Sequence, residues 1–344
     1  GLGFTLASGG RHQEALPYLD RALLISHRTH GLFHIEQQAI LRQLASSLTL
    51  SGQPLVAERH VNYMLQVGQH AYGEDDPRLV PLMCAVGDWH AEVGNFDDAR
   101  RLYRDGARLV EDKLGKNDIA IVRPLRRLAA SFTQELAFEA NGFIDPHEAA
   151  ELGISGGASS QHNPRNPRYI DTEGQRALLR ALAILKANPD ASPQLLIDTL
   201  VDTGDWYQTK DDFRKALPFY SQAAQVYLQH AGQDSQAVQD RLAFPVRVYY
   251  PVPNAIVRGN KLMPHDTQQA FVQMEFTVTA EGLVKDAKIL ETDAHNRHAS
   301  EILSAIRDAR FRPKFLNGEP VETVAMSFRE VFRIRKRDDE DDPS

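Results

Sequence analysis

The sequence predicts a mostly α-helical chain, an array of stacked helical hairpins closed by a small α+β module of order ββαβ. Two observations carry this. Gly10, Gly52 and Gly94 stand 42 residues apart, and so do Ala15, Ala57 and Ala99, and Gly31, Gly73 and Gly115. Three series that share one period and one phase mark a stacked-repeat architecture. Further on, Val272, Met274, Phe276 and Val278 alternate with Gln273, Glu275, Thr277 and Thr279, the period of a half-buried strand.

The third copy shows what the repeat is made of. Met83, Val86, Gly87 and His90 recur at helical intervals, a Gly-Asn turn follows, and Ala99, Tyr103, Gly106 and Ala107 recur at helical intervals again. Small residues at Gly87 and Ala99 let two antiparallel helices approach, and large ones fill the space beside them. Copy two runs from Glu36 to Ala71, copy three from Arg78 to Leu114, and copy five from Gln194 to His230. Copy one keeps mainly its second helix, Gln13 to His27, since the phase places its first helix before and across Gly1 to Ala7. That opening, without an initiator Met, reads as a fragment or processed product. Copy four starts with Leu125, Leu128, Ala129 and Phe132, then loses register in a Gly, Ser, Asn and Pro-rich stretch, an insertion loop at 140–171.

The small and large positions, Gly87, His90, Gly94, Ala99, Tyr103 and Gly106, resemble the tetratricopeptide repeat. Ala45, Leu48, Gly52, Ala57, Val61 and Met64 occupy the same places in copy two, and Gly204, Tyr207, Asp211, Ala216, Tyr220 and Ala223 in copy five. The 42-residue unit is similar to the kinesin-light-chain type. This resemblance implies a right-handed α-α superhelix over 1–232.

After an extended, proline-punctuated lead-in at 233–269, which includes Phe244 to Pro253, a hairpin is expected, with its turn at Glu281-Gly282 and its second strand from Val284 to Leu290. Ile302, Ala305, Ile306 and Ala309 form one helix face, Asn317-Gly318 turns the chain, and Val324, Met326 and Phe328 open a third alternating strand. Over 270–334 this resembles the C-terminal domain of TonB-family proteins, in Val272-x-Met274-x-Phe276-x-Val278, Gly282-x-Val284, Ala309-x-Phe311-x-Pro313 and Gly318-x-Pro320-Val321. The Tyr-Pro that precedes the domain in transducers corresponds to Tyr250-Pro251, whereas the family's paired serines are replaced by Glu291-Thr292-Asp293. The tail at 335–344 is too charged to be ordered.

The resemblance to TonB implies a periplasmic, Gram-negative cell-envelope protein, anchored if at all through an absent N-terminal segment, with a role in transport coupling. Its last strand, Val321 to Phe332, would receive an extended peptide by strand addition, a segment of an outer-membrane receptor being one such partner. Val321, Thr323, Ala325, Ser327 and Arg329 are the peptide-binding candidates. In the helical array, Arg42, Ser46, Cys84, Asp88, Glu92, Arg126 and Thr133 are the groove candidates. The alternative is an envelope-assembly adaptor in which this groove does the recognising.

The lack of catalytic and ligand-holding motifs favours a binding protein over an enzyme. The net charge of −7 gives no general pull toward nucleic acid or anionic membrane. The single cysteine, Cys84, rules out an internal disulfide. The 13 histidines show no His-Glu-x-x-His pattern, no phosphate-binding Gly-rich loop is present, and no metal or cofactor is expected. Ser159-Ser160-Gln161-His162 falls in the insertion loop, where a catalytic pair would not be held in register. Trp89 and Trp206 share one repeat position and read as packing residues. Arg307, Arg310, Arg312 and Lys314 read as a solvated basic face at a helix end.

Overall fold

The computed structural model describes residues 1–140, 172–230, 241–256 and 267–336. They fall into two compact units, one of residues 1–135 and 183–189, the other of 136–140, 172–182 and the described residues from 190 onward. Residues 141–171 of the expected insertion loop and 337–344 of the expected tail lie outside the described residues, while Arg335, expected in the tail, ends the last strand. No described helix is long and apolar enough to cross a membrane.

The first unit is built of helical hairpins: α1 (Leu2–Ser8) with α2 (His12–His30), α3 (Gln38–Leu50) with α4 (Pro54–Tyr72), α5 (Val80–Glu92) with α6 (Phe96–Leu114), then α7 (Val122–Ala140), which reaches its boundary. Each hairpin turns in the same way. The amides of Arg11, Gln53 and Asn95 donate to the carbonyls of Leu6, Leu48 and His90, five residues back, across a glycine of positive φ at Gly10, Gly52 and Gly94. That satisfies orphan carbonyls at the helix end and reverses the chain in a fixed geometry.

Between hairpins a short 3₁₀ turn leads into the next first helix. Asp76 and Asp118 cap the second and third of these turns, accepting from the amides of Arg78 and Ala120 at 2.8 Å. Leu19, Leu41, Leu44, Val61, Val67 and Val86 fill the core. Trp89 joins them, its indole nitrogen donating to Thr49 at 2.8 Å.

Why small faces large is settled by contact. A Cβ built on Gly87 would lie 2.6 Å from the Tyr103 ring, and one on Gly3 would lie 3.0 Å from Leu19. In copy two the same place pairs Ala45 with the smaller Val61. The two positions trade volume, as close packing requires.

In the second unit, α8 (Thr172–Ala187) enters from the unit boundary, and α9 (Pro193–Thr209) and α10 (Phe213–His230) form a further hairpin. Its core of Ile197, Leu200, Val201 and Tyr220 also takes in Phe315 from the strand region. Asp211 holds φ 63° at the place of the turn glycines, and Asp212 repeats their bond to the fifth residue back, Tyr207.

Strands β1 (Val246–Tyr249), β2 (Thr267–Val278), β3 (Val284–Thr292), β4 (Arg310–Arg312), β5 (Lys314–Leu316), β6 (Glu319–Val321) and β7 (Thr323–Arg335) follow, with α11 (Asn296–Arg307) between β3 and β4. All pairings are antiparallel: β3-β2-β7, β1-β4 and β5-β6. The alternation of β2 is realised, with Val272, Met274, Phe276 and Val278 buried and Ile302 and Ile306 of α11 in the same core. Asn317 and Gly318, both at positive φ, make the tight β5–β6 turn. The lead-in is partly structured, since β1 pairs with β4 and Tyr250, Val252, Ala255 and Ile256 pack on the sheet core.

The hairpin α9–α10 and the strands are bonded into one body. Gln208 on α9 donates to the carbonyls of Glu281 and Phe311, at 2.9 and 3.0 Å. Gly282 is required beneath it, because a Cβ there would sit 1.8 Å from the Phe311 carbonyl oxygen. Arg312, 3% exposed, reaches Asp205 at 2.6 Å, and Arg310 reaches Asp211 at 2.6 Å. Arg307 donates to the Ala287 carbonyl. Of the basic face expected at this helix end, Arg310 and Arg312 are therefore spent on internal ion pairs, while Arg307 stays exposed.

Candidate functional site

Strand β7 forms one margin of the three-stranded sheet. It pairs with β2 along almost its whole length, Thr323 opposite Val278 through Arg335 opposite Thr267, and no described strand bonds its other side. The outward-pointing main-chain groups of a thirteen-residue strand are thus offered at a sheet edge, in a strand that is neither short nor proline-broken.

Its side chains sort onto two faces. Met326, Phe328, Phe332 and Ile334 pack on the sheet core, while Ser327, Arg329 and Val331 lie on the exposed face. There Ser327 accepts from Gln273 at 2.5 Å, and the Arg329 guanidinium lies 3.6 Å over the Phe271 ring.

Two expectations are corrected. Val321 belongs to β6, paired with Lys314 in the β5–β6 hairpin, so it is not part of this margin. Val324 is 67% exposed instead of inward, because Ala325 adopts φ 54° and the register slips between Phe276 and Val278. A bulge of this kind flips the alternation locally. Thr323 opens the strand with a buried hydroxyl that has no hydrogen-bond partner.

Behind β7 stands a cluster whose role the sequence did not reveal. The Arg247 guanidinium lies 4.5 Å over the Tyr250 ring and 4.7 Å over that of Phe328. Tyr250 meets Phe328 edge-on at 6.3 Å. Burial, and secondarily the Glu330 charge, pushes the Tyr250 hydroxyl up, and burial pushes the Glu330 carboxyl up. Tyr250-Pro251 is distant from β7 in sequence yet braces its core-facing side. The clue was the Tyr-Pro pair itself.

In the helical array the groove candidates separate. Arg42 and Glu92 are exposed, and Ser46, Arg126 and Thr133 are half-buried. Asp88 is committed to the fold, accepting from the Tyr103 hydroxyl at 2.8 Å and facing Arg127 at 3.3 Å. Cys84 is fully buried, which removes it from any groove surface, and burial pushes its thiol up to about 12. A thiol so protonated is no nucleophile. A buried cation also escaped sequence reading: Arg100 pairs with Glu135, donates to Ser131 and lies 4.0 Å over Phe132.

Residues 1–36 match the tetratricopeptide repeat family. Among solved structures, a putative kinesin light chain from Podosopora anserina with nearly identical TPR-like repeats is similar at 14% identity. The match covers 68% of this chain and 94% of that one, with a TM-score of 0.44. A second form of it matches at 13% identity over 67% and 93%, with a TM-score of 0.45. BtubC from P. vanneervenii matches at 15% identity over 67% and 79%, also at 0.45. No curated protein matches the chain in sequence. The family match thus falls on the first helical hairpin and the turn that follows it.

Proposed function

We propose that this protein is a non-enzymatic adaptor of the Gram-negative cell envelope, in which tetratricopeptide repeats scaffold a partner and a TonB-like C-terminal module receives an extended peptide along β7. The observation that carries the reading is the one-sided pairing of β7, thirteen residues bonded to β2 alone among the described strands. Unpaired main-chain groups at such a margin supply affinity to an extended peptide, and alternate side chains supply selectivity. Thr323, Ala325, Ser327 and Arg329 line the strand; a segment of an outer-membrane receptor is the partner class, and the periplasm the setting.

The test is peptide binding, read by fluorescence anisotropy against a panel of extended synthetic peptides. Ser327→Pro removes a main-chain donor from β7 and is expected to weaken binding at least tenfold with helicity retained. Ala325 is the poorer site for this test, since its φ of 54° is closed to proline and the fold itself would suffer. A second reading, recognition by the helical groove, rests on the exposed Arg42 and Glu92. If Ser327→Pro leaves binding intact while Arg42→Glu with Glu92→Lys abolishes it, the groove is the site and the strand-addition reading fails.

A further inference from the structure

Copy one departs from the repeat at three neighbouring positions. Where copy two has Tyr72, Asp76 and Arg78, and copy three Leu114, Asp118 and Ala120, copy one has His30, His34 and Glu36. The middle change gives up a cap. Asp76 and Asp118 each satisfy a backbone amide of their 3₁₀ turn, whereas His34 makes no such bond. Its Nδ1 is buried with no hydrogen-bond partner and has the Glu36 carboxylate 3.9 Å away. The cap that the other two turns have is lost here, and a local rule broken without compensation in the fold points to a functional site.

The two imidazoles are already together. His30 and His34 stack with ring centroids 4.8 Å apart at 28°. Thr29 donates its hydroxyl to the Ile25 carbonyl at 3.0 Å, so toward His30 Nδ1, at 2.9 Å, it accepts. That places the proton of His30 on Nδ1 and leaves the Nε2 lone pair free, the arrangement by which an outer oxygen orients a metal-binding histidine.

The loop that carries these side chains is braced. Gln37, fully buried, donates to the Gly31 carbonyl at 2.7 Å, and the Tyr63 hydroxyl donates to the Leu32 carbonyl. Phe33 packs against the rings of Tyr63 and His70, at 5.9 and 4.4 Å.

We propose that His30, His34 and Glu36 form a binding site for a borderline divalent transition-metal ion, with Zn²⁺ the best fit. Two imidazole nitrogens and one carboxylate suit zinc, nickel or copper and not magnesium or calcium. Their ligand atoms lie within 4.8 Å of one another. Tetrahedral zinc with bonds of about 2.05 Å needs ligand atoms about 3.4 Å apart. The difference is a side-chain rotation on a backbone already held. The exposure of His30 and Glu36 leaves the fourth position open to water. This inference is independent of the peptide-binding reading.

The experiment is calorimetric titration of the whole chain with Zn²⁺, paired with thermal melts with and without the ion. With 13 histidines in the chain, the informative quantity is a difference between variants. His30→Tyr with Glu36→Arg installs the residues copy two already folds with. The wild type is expected to take up one equivalent at least tenfold more tightly than this double variant, and only the wild type should gain melting temperature with Zn²⁺. Mg²⁺ should do neither. Equal zinc affinity in both proteins, no saturable binding in either, or an equal response to Mg²⁺ would overturn the site.

Discussion

Arg312 stands against Asp205 where, in the repeat's own phase, Arg127 stands against Asp88. In each place the aspartate also accepts from a tyrosine hydroxyl at 2.8 Å, Tyr220 or Tyr103. The cation comes from the following helix, α7, in the first unit and from strand β4 in the second. The strand module therefore supplies to the hairpin α9–α10 the contact that a further repeat would have supplied. Burial pushes the Asp205 carboxyl up, and Arg312 and Tyr220 pull it back down.

The two pairs differ in exposure, and that fixes a prediction. The Arg312 side chain is 4% exposed and that of Arg127 is 44% exposed. Arg312→Leu strands a largely buried carboxylate and is expected to cost about 3 kcal/mol. Arg127→Leu should cost under about 1 kcal/mol. Urea denaturation of both variants decides it, and equal losses would refute the exchange of a repeat contact for a strand contact.

Gly87 and Tyr103 make the volume trade testable. Gly87→Ala drives a methyl into the tyrosine ring and is expected to destabilise by about 2 kcal/mol. Adding Tyr103→Val recreates the Ala45–Val61 pair of copy two and should return part of that loss, so the two changes are non-additive. Strict additivity in a double-mutant cycle would show that the ring yields freely.

The hairpins and the strand alternation were legible because they are local. A helix turn fixes which residues share a face, and a strand fixes which side each residue takes, so Gly87 with Tyr103, or Val272 through Val278, could be read directly. Three things were not. Arg312 looked like part of a solvated cluster because its partner lies 107 residues away. Cys84 occupies the position of Arg42 and Arg126, yet a short side chain stays beneath the surface that an arginine stem climbs over. The bulge in β7 falls on an alanine, which carries none of the signal a glycine would. At the candidate site the strand lies at the sheet edge as its pattern suggests, while its first residue, Val321, and one of its inward residues, Val324, fall elsewhere.

His90 ties stability to pH. Its ring is 7% exposed, and burial holds its pKa below the ordinary 6.5. The unfolded chain then takes up a proton at about 6.5 where the folded chain does not, so stability rises with pH across the window from the lowered value up to 6.5 and is lost as pH falls through it. Copies one and two carry Leu6 and Leu48 at this place. His90→Leu should fold and should flatten the slope between pH 5.5 and pH 7 in denaturant titrations. An unchanged slope would assign the effect elsewhere, His60 being similarly lowered by burial.

Ala325 holds φ 54° on an exposed stretch of the candidate edge strand. An L-residue in that region is strained by its own Cβ, and glycine is not. Since the alanine methyl is exposed, Ala325→Gly gives up little packing. The gain is the relieved backbone, about 0.5–1 kcal/mol after the added freedom of the unfolded chain is counted. Strain of this kind concentrates where a backbone is held ready for a partner. The same variant should therefore loosen β7 toward extended peptides even as it stabilises the fold. A shift of the urea midpoint upward with weaker peptide binding is the expected pair of results; a midpoint that moves down would mean the strand does not hold this bulge in solution.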